Sequence, residues 1–245
     1  MNLILLREDD FLAEISHSLD EPGERRVRLQ GRRLEHVTEI HRAKVGDELV
    51  VGLEDGLIGR GRLLSLGPDE ATLAVTLDSP PPPPLPLTLV LALPRPRVLR
   101  RCLQAAASLG VKDVILSNAW RVEKSYWQTP VLEPETLRHH LTLGLEQARD
   151  THMPRVTMRK LFKPFVEDEL PVLTAGRRAL VAHPLATAPC PGPTTEPTLL
   201  AIGPEGGWIP YEIEKLTAAG CTPIQLGPRI LRSEVALTAL LAKLF

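Results

Sequence analysis

The chain has few cysteines and no long apolar run, and both absences narrow the classes of protein it can belong to. Its three cysteines, Cys102, Cys190 and Cys221, are scattered over 245 residues, so they form neither a disulfide framework nor a zinc-binding pair. No apolar run of about 18 residues occurs, which argues against a membrane-spanning helix. The apolar residues 3–6 are too few for a secretion signal and are followed by acidic residues. We therefore expect a cytoplasmic protein that needs no membrane and no metal.

Several common catalytic fingerprints are also absent. No Gly-x-Gly-x-x-Gly follows an apolar run and there is no P-loop, so a dinucleotide or triphosphate site lacks its usual sequence. The absence of a Gly-x-Ser-x-Gly elbow argues against a serine hydrolase. No His-x-x-x-His spacing occurs, and the adjacent His139 and His140 point in different directions on a helix. Metal chemistry is therefore not expected.

Charge and proline divide the chain into two parts. Residues 1–79 carry ten Lys and Arg against sixteen Asp and Glu, whereas residues 80–245 carry nineteen against fourteen. A basic half can face a polyanion, although a solvated surface explains the excess equally well. Between the halves, Pro80 to Pro84 and Leu85-Pro86 form a stiff segment that suits neither a helix nor a central strand. We predict domains at 1–79 and 87–245, joined by a linker at 80–86.

The first part has the pattern of a small β-barrel. Short alternating runs predict strands at 27–29, 49–51, 59–66 and 71–77. Between the first two, Leu34, Val37 and Ile40 recur at helical spacing and predict one helix.

The second part alternates between strands and helices. Strands are predicted at 87–93, 114–116, 179–182, 199–202 and 223–226. Helices are predicted at 98–109, 134–149, 209–219 and 233–244, the last with Ser233 as its N-cap. This alternation indicates an α/β domain with a mainly parallel sheet.

In two segments of the second part, an apolar strand is followed directly by Gly-Pro. The first, residues 202–207, reads Ile-Gly-Pro-Glu-Gly-Gly, and the second, residues 226–232, reads Leu-Gly-Pro-Arg-Ile-Leu-Arg. Loops at the carboxyl ends of parallel strands are the usual ligand sites of α/β proteins. Glycine lets a ligand approach the backbone, and proline makes the turn rigid. The two loops are therefore predicted to form one binding site.

With Glu234 and Ala236, these segments resemble the C-terminal signature of the 16S ribosomal RNA uridine-N3 methyltransferase family. Order, spacing and distance from the C-terminus all match. Further matches are Leu109-Gly110-Val111, Glu146-Gln147, Arg149, Pro154 and, in the first part, His36, Arg42 and residues 44–47. The chain departs from the family at Arg95-Pro96, Ser108 and Val235. These departures leave the target nucleotide less defined than the methyl donor.

The resemblance implies a SPOUT fold, an α/β domain with a deep trefoil knot, preceded by a PUA-like β-barrel that binds RNA. It implies methylation of 16S ribosomal RNA in the small ribosomal subunit and S-adenosylmethionine as the cofactor. The cofactor residues it implies are Ile202, Gly203, Pro204, Glu205, Gly206, Gly207, Leu226, Gly227, Pro228, Ile230 and Leu231. It also implies a homodimer, for which the last helix offers an apolar stripe of Val235, Leu237, Leu240, Leu241 and Leu244.

Three residues are predicted to act in catalysis: Arg232, Arg149 and Glu234. Uridine N3 must lose a proton, and no histidine lies in either loop, so we expect a cation to stabilise the resulting anion, with Arg232 the first candidate. Glu234 orients Arg232, helps to take the proton, or supplies a favourable charge to the first turn of the last helix. Glu205 either bonds cofactor or partner or caps its own turn, and Trp208 either stacks on a base or packs in the core.

The RNA backbone is predicted to be contacted by Arg25, Arg26, Arg32, Arg33, Arg42, Lys44 and Arg229. Lys and Arg side chains clustered on one face neutralise phosphates, although a charge-balanced helix and strand surface is the alternative. Two other functions stay open. One is a methyltransferase of the same fold that acts on transfer RNA or another ribosomal position. The other is a non-catalytic RNA-binding dimer, against which affinity for S-adenosylmethionine would argue.

Overall fold

The computed structural model describes residues 2–12 and 24–245, and the chain divides into two compact units. The first unit comprises Met1–Pro83 and Leu145–Met153, and the second comprises Pro84–Gly144 and Pro154–Phe245. The division falls inside the proline run. The segment Leu145–Met153 differs from the sequence-based expectation, because it clusters with the first unit although it lies far along the second part of the chain.

The first unit is built on a five-stranded sheet. Its strands are β1 (Ile4–Leu6), β2 (Arg25–Leu29), β3 (Glu48–Leu53), β4 (Ile58–Leu66) and β5 (Ala71–Ser79). They lie in the order β1-β3-β4-β5-β2, with β1 parallel to β3 and the other pairs antiparallel. The four predicted strands are present, whereas β1 was missed because three consecutive apolar residues show no alternation. Phe11 forms an isolated bridge with Val27 of β2, so the chain after β1 pairs with the strand at the opposite edge.

The helix between β2 and β3 changes its winding part-way. α1 (Arg32–Glu35) continues directly into a wider π-helical turn, His36–Ile40. Leu34 and Val37 are buried as predicted, but Ile40 is 66% exposed. The predicted stripe is wrong at Ile40 because a π-helical turn advances each residue by a smaller angle than an α-helix does.

The second unit contains a six-stranded sheet in which every neighbouring pair is parallel. Its strands are β6 (Leu87–Ala92), β7 (Asp113–Ser117), β8 (Arg155–Arg159), β9 (Arg178–Ala182), β10 (Thr198–Ile202) and β11 (Thr222–Ile224). Their order is β11-β9-β10-β6-β7-β8. The predicted α/β domain with a parallel sheet is confirmed. The edge strand β8 was missed, since its half-buried side chains show no apolar periodicity.

The helices of the chain after the proline run are α2 (Pro96–Ser108), α3 (Pro134–Ala148), α4 (Phe162–Pro164), α5 (Leu170–Thr174), α6 (Pro210–Ala218) and α7 (Ser233–Leu244). A π-helical turn, Phe165–Glu169, joins α4 to α5. Proline is the first residue of α2, α3 and α6, where its missing N–H costs nothing. Throughout residues 2–12 and 24–245, no helix combines the length and apolar character needed to span a membrane.

α2 and α3 approach each other closely at Gly144. A Cβ atom on Gly144 would lie 2.5 Å from the carbonyl oxygen of Gln104, so only glycine fits. The Ser108 hydroxyl donates a hydrogen bond to the Gly144 carbonyl at 2.9 Å. The departure from the family at Ser108 therefore lies at a contact between two helices.

Candidate functional site

The two glycine-proline loops leave the same edge of the parallel sheet. Residues 203–208 follow β10 and residues 225–232 follow β11, while β9 lies between these strands. Gly207 has φ 72° and Gly227 has φ 118°, a left-handed conformation that favours glycine. A Cβ atom on either glycine would meet no atom within 4 Å, so the backbone there borders open space. A ligand can therefore approach both loops at backbone distance.

Neighbouring loops hold the first loop in place. The Gly207 N–H donates to the Pro204 carbonyl at 2.8 Å, which closes the turn. Glu205 accepts a hydrogen bond from the backbone N–H of Arg95, just after β6, at 2.9 Å. Arg121, in the loop after β7, donates to the Gly206 carbonyl. The Glu205 carboxylate thus links two loops instead of capping its own turn.

Trp208 takes the packing role of its two predicted alternatives. The side chain is 4% exposed and its ring lies 6.1 Å from the ring of Phe162. A buried indole offers no free face on which an RNA base could stack.

The second loop is joined to the chain that follows β9. The Gln225 N–H donates to the Ala188 carbonyl at 3.0 Å, and the Gln225 side chain accepts from the N–H of Gly227. Ser233, the first residue of α7, donates its hydroxyl to the Gly203 carbonyl at 3.4 Å. This contact brings the end of the second loop against the start of the first.

Arg232 and Glu234 lie at the beginning of α7. Arg232 is the N-cap residue, one position earlier than predicted, and its exposed side chain stands at the loop edge. Glu234 is mostly buried, and its Oε1 lies 3.5 Å from Nη1 of Arg101 on α2. Because its ion pair is with Arg101 and not with Arg232, the structure argues against an orienting role for Glu234, whereas proton acceptance and the charge in the first turn stay predictions.

Four buried polar atoms at this edge have no hydrogen-bond partner among the described residues. They are Ser117 Oγ, His183 Nδ1, Trp208 Nε1 and Glu234 Oε2. Buried polar atoms in folded proteins are nearly always hydrogen-bonded, so each of these four has a hydrogen-bonding capacity that water or a ligand can fill. Ser117 ends β7, His183 directly follows β9, Trp208 lies in the loop after β10, and Glu234 lies in the first turn of α7.

His183 was missed by the sequence reasoning. It directly follows β9, and its backbone N–H donates to the Ile224 carbonyl at 2.8 Å, which places it between the two loops. Burial lowers the pKa of the His183 imidazole below its ordinary value, so the ring is neutral at pH 7. Its position after a buried parallel strand was the available signal.

Arg149 belongs to the first unit. It follows α3 with φ 55°, a conformation that non-glycine residues seldom adopt. The three predicted catalytic residues are therefore divided between the units: Arg232 and Glu234 belong to one and Arg149 to the other.

Two of the residues predicted to contact RNA are instead hydrogen-bonded to carboxylates inside the first unit. Arg32 donates two hydrogen bonds, of 2.9 and 3.0 Å, to the carboxylate of the fully buried Glu146. Arg33 forms a similar two-bond pair with Asp10 and also donates to the Leu5 carbonyl at 3.1 Å. Guanidinium groups held in this way are not free to neutralise phosphate, so the structure argues against a phosphate role for both residues.

The remaining predicted contacts have exposed side chains. Arg25 and Arg26 are exposed at the start of β2, where they point to opposite faces of the sheet, and the Arg25 guanidinium lies 3.7 Å from the centre of the Phe11 ring. Arg42 and Lys44 are exposed between α1 and β3, and Arg229 is exposed in the second loop. These five residues remain candidates for phosphate contact.

Neither the carboxylates nor the thiols form a metal site in the part of the chain that the structure describes. No group of three or more His, Cys, Asp or Glu side chains there could hold a metal ion. Burial raises the pKa of both Cys102 and Cys221 to about 12, so both thiols stay protonated at neutral pH.

Residues 81–244 match a protein family described as RNA methyltransferase domain. The chain belongs to this family. Two relatives are named Ribosomal RNA small subunit methyltransferase E. The relative from Treponema pallidum is 29% identical over 145 residues, which cover 58% of this chain and 54% of that protein. The relative from Synechocystis is 29% identical over 233 residues, which cover 89% of this chain and 72% of that protein. The chain thus spans about half the length of the Treponema relative.

A solved structure shares the fold of this RNA methyltransferase family member. It is a Ribosomal RNA small subunit methyltransferase E from Neisseria gonorrhoeae, bound to S-adenosyl methionine. The TM-score is 0.73 at 19% identity, and the match covers 99% of this chain and 95% of that chain. The relationship to the small-subunit methyltransferases that the sequence predicted is confirmed.

Proposed function

We propose that the protein transfers a methyl group from S-adenosylmethionine to N3 of a uridine in the 16S ribosomal RNA of the small subunit. The observation that carries the proposal is the pair of glycine-proline loops at one edge of the parallel sheet in an RNA methyltransferase domain. The names of the Treponema and Synechocystis relatives support the ribosomal substrate, and the ligand of the Neisseria structure supports the cofactor. Such an enzyme would work in the cytoplasm, where small subunits are assembled.

The residues of the edge suit the cofactor. The open backbone at Gly207 and Gly227 leaves space for a ligand. His183 Nδ1 and Glu234 Oε2, which have no hydrogen-bond partner among the described residues, could each form a hydrogen bond with it. Bound S-adenosylmethionine would supply a methyl group activated by its sulfonium. Residues 202–207, 226–228, 230 and 231 would hold it mainly through backbone groups.

Arg232 would act on the base. Methylation at N3 requires the uridine to lose its N3 proton, and a cation beside O2 or O4 favours the anion that forms. The exposed guanidinium of Arg232 lies at the junction of the two loops, and Ser233 anchors its backbone to Gly203. Because N3 lies on the Watson–Crick edge, the target uridine must be unpaired or extruded. Arg149, which belongs to the first unit, is left with a supporting role in RNA binding.

We further propose a trefoil knot, a PUA-like barrel and a homodimer. The knot is supported by two hydrogen bonds of α7: the Ser233 hydroxyl bonds to the loop after β10, and the Leu244 carbonyl accepts from the N–H of Thr194, which precedes β10. The barrel is supported by the bridge between Phe11 and Val27. For the dimer, Val235 is the exposed member of the predicted stripe, whereas its other members are buried in the second unit: Leu237, Leu240, Leu241 and Leu244.

Nucleoside mass spectrometry of small-subunit RNA tests the proposed function. A strain that lacks the gene should lose 3-methyluridine from 16S RNA, and the wild-type gene should restore it whereas Arg232→Ala should not. The purified protein with S-adenosylmethionine should also methylate undermodified small subunits. Methylation of transfer RNA or of another ribosomal position would replace the proposed substrate. Cofactor binding without methylation of any RNA would refute the proposed catalysis.

A further inference from the structure

Trp120 is a large aromatic side chain to which the proposed function assigns no role. It lies three residues after β7 and is 78% exposed. The other two tryptophans are engaged: Trp208 is buried, and Trp127 donates its ring N–H to Asn118 at 3.1 Å. An exposed indole leaves a large apolar surface in water, which is unfavourable unless a partner covers it.

The backbone beneath Trp120 is fixed. Trp120 and Arg121 are the central residues of a turn that the Val122 N–H closes on the Ala119 carbonyl at 3.0 Å. Ala119 and Val122 are both buried, so the turn is anchored on each side of its exposed tip. The indole therefore projects from a rigid support and not from a loose loop.

Two side-chain contacts set the position of this turn. The backbone N–H of Trp120 donates to the buried carboxylate of Glu212 at 2.6 Å, and this carboxylate also accepts from the backbone N–H of Ile209 at 2.9 Å. Arg121 donates to the Gly206 carbonyl in the first glycine-proline loop. The turn is thus attached directly to the loop that we propose for the cofactor.

The segments that follow the neighbouring strands β6 and β7, residues 93–97 and 118–124, carry an excess of exposed cations. These cations are Arg95, Arg97, Arg121 and Lys124, and the one exposed carboxylate of the two segments is that of Glu123. An exposed aromatic ring among cations is the arrangement with which proteins bind single-stranded nucleic acid, because bases stack on the ring while the cations contact the phosphates.

We propose that Trp120 stacks on an unpaired base of the RNA beside the methylated uridine and thereby positions the substrate. The inference rests on the proposed function, since it assumes an RNA whose target base has left its pairing. Trp120 touches neither cofactor nor reacting atom in this scheme. Arg121 contacts the adjoining phosphate while its hydrogen bond to Gly206 relates the position of the RNA to the cofactor loop.

Steady-state methylation of undermodified small subunits by Trp120→Ala, Trp120→Leu and Trp120→Phe tests the proposal. Alanine and leucine should raise the KM for the RNA substrate roughly 5- to 150-fold, the range that base stacking on an aromatic side chain gives. Phenylalanine, which keeps an aromatic face, should stay within a few-fold of wild type. The kcat and the affinity for S-adenosylmethionine should not change. Val172→Ala, at an exposed apolar residue of α5, is the control and should leave KM unaltered.

Fluorescence and sedimentation separate the possible failures. Unmodified 16S RNA should quench the tryptophan emission of the wild-type protein and much less that of Trp120→Phe. If quenching is seen without methylation, the proposed function fails and the role of Trp120 stands. An unchanged KM in both Trp120→Ala and Trp120→Leu, or equal quenching in wild type and Trp120→Phe, overturns the stacking role. A change of oligomeric state in Trp120→Ala would also overturn it, since the indole would then belong to a protein interface.

Discussion

The Arg32–Glu146 pair offers a direct test of how the first unit is held together. Glu146 is 0% exposed and accepts two hydrogen bonds from Arg32, at 2.9 and 3.0 Å. Its backbone carbonyl also accepts the N–H groups of Asn2 and Leu3, each at 3.0 Å. Glu146→Ala would leave these backbone bonds possible but would remove the carboxylate from the guanidinium.

The expected loss follows from the burial of the pair. Removing one partner of a buried ion pair costs about 3–5 kcal/mol. The Arg32 side chain is 38% exposed, so water can solvate part of the released charge. We therefore expect a loss at the lower end, about 3 kcal/mol. In a chain of this size that corresponds to a fall in Tm of roughly 6–12 °C.

Urea unfolding followed by circular dichroism, with calorimetry for Tm, measures the effect on the first unit. The matched control is Glu48→Ala, which breaks the exposed pair of Glu48 with Arg60 and should cost less than about 1 kcal/mol. The double variant Arg32→Met with Glu146→Met should recover much of the loss, because an apolar pair leaves no buried charge unpaired. If Glu146→Ala unfolds no more easily than Glu48→Ala, the pair does not hold the segment and the reasoning is refuted.

Three further predictions concern the second unit. Gly206→Val should weaken cofactor binding in calorimetry, because a β-branched side chain blocks close approach to the loop backbone and its Cβ would lie 2.8 Å from Cδ of Arg121; Gly192→Val, with no atom within 4 Å, is the control, and equal affinities would remove Gly206 from the site. Arg232→Ala should lower the single-turnover rate about 100-fold with RNA affinity nearly intact; a normal rate at saturating RNA would mean that the N3 proton is handled elsewhere. Cys102 and Cys221, with pKa values of about 12, should resist iodoacetamide at pH 8 until urea unfolds the chain. Their raised pKa values stabilise the folded chain fully below the unfolded-state pKa of about 8.5, and this stabilisation is lost as the pH rises toward 12. Rapid alkylation of the folded protein, or a free energy of unfolding that does not change over this pH range, would contradict the burial argument.

Local pattern was enough to predict the α/β unit and the two loops that follow its strands. Side chains of a strand alternate between faces, and helical faces recur at 3.6 residues, so apolar spacing reveals which segments form which element. The loops at 203–207 and 226–232 could be recognised because glycine and proline act on the backbone of their own residues. The proline run marked the boundary between the units for the same reason.

Pairings between distant residues could not be obtained in this way. Arg32 meets Glu146 across 114 positions of sequence, and Trp120 meets Glu212 across 92. Apolar periodicity predicts which face of a helix or strand is buried, but it does not predict which charged group or carbonyl a given side chain will contact. For that reason the sequence alone suggested RNA phosphate for Arg32 and Arg33, whereas their positions beside Glu146 and Asp10 give them internal partners.

The three tryptophans show the same division. All are aromatic residues in or near loops of the second unit, and their sequence context does not distinguish the buried Trp208 from the exposed Trp120. Exposure depends on what the rest of the chain packs over a side chain: Trp208 lies beside Phe162, whereas the indole of Trp120 stays 78% exposed although its backbone N–H is hydrogen-bonded. The amino-acid sequence determined most of the strands and helices and the turns that glycine and proline impose on the two loops. The tertiary structure decided which side chains were left facing solvent, because burial is a property of the assembled surface and not of any single segment.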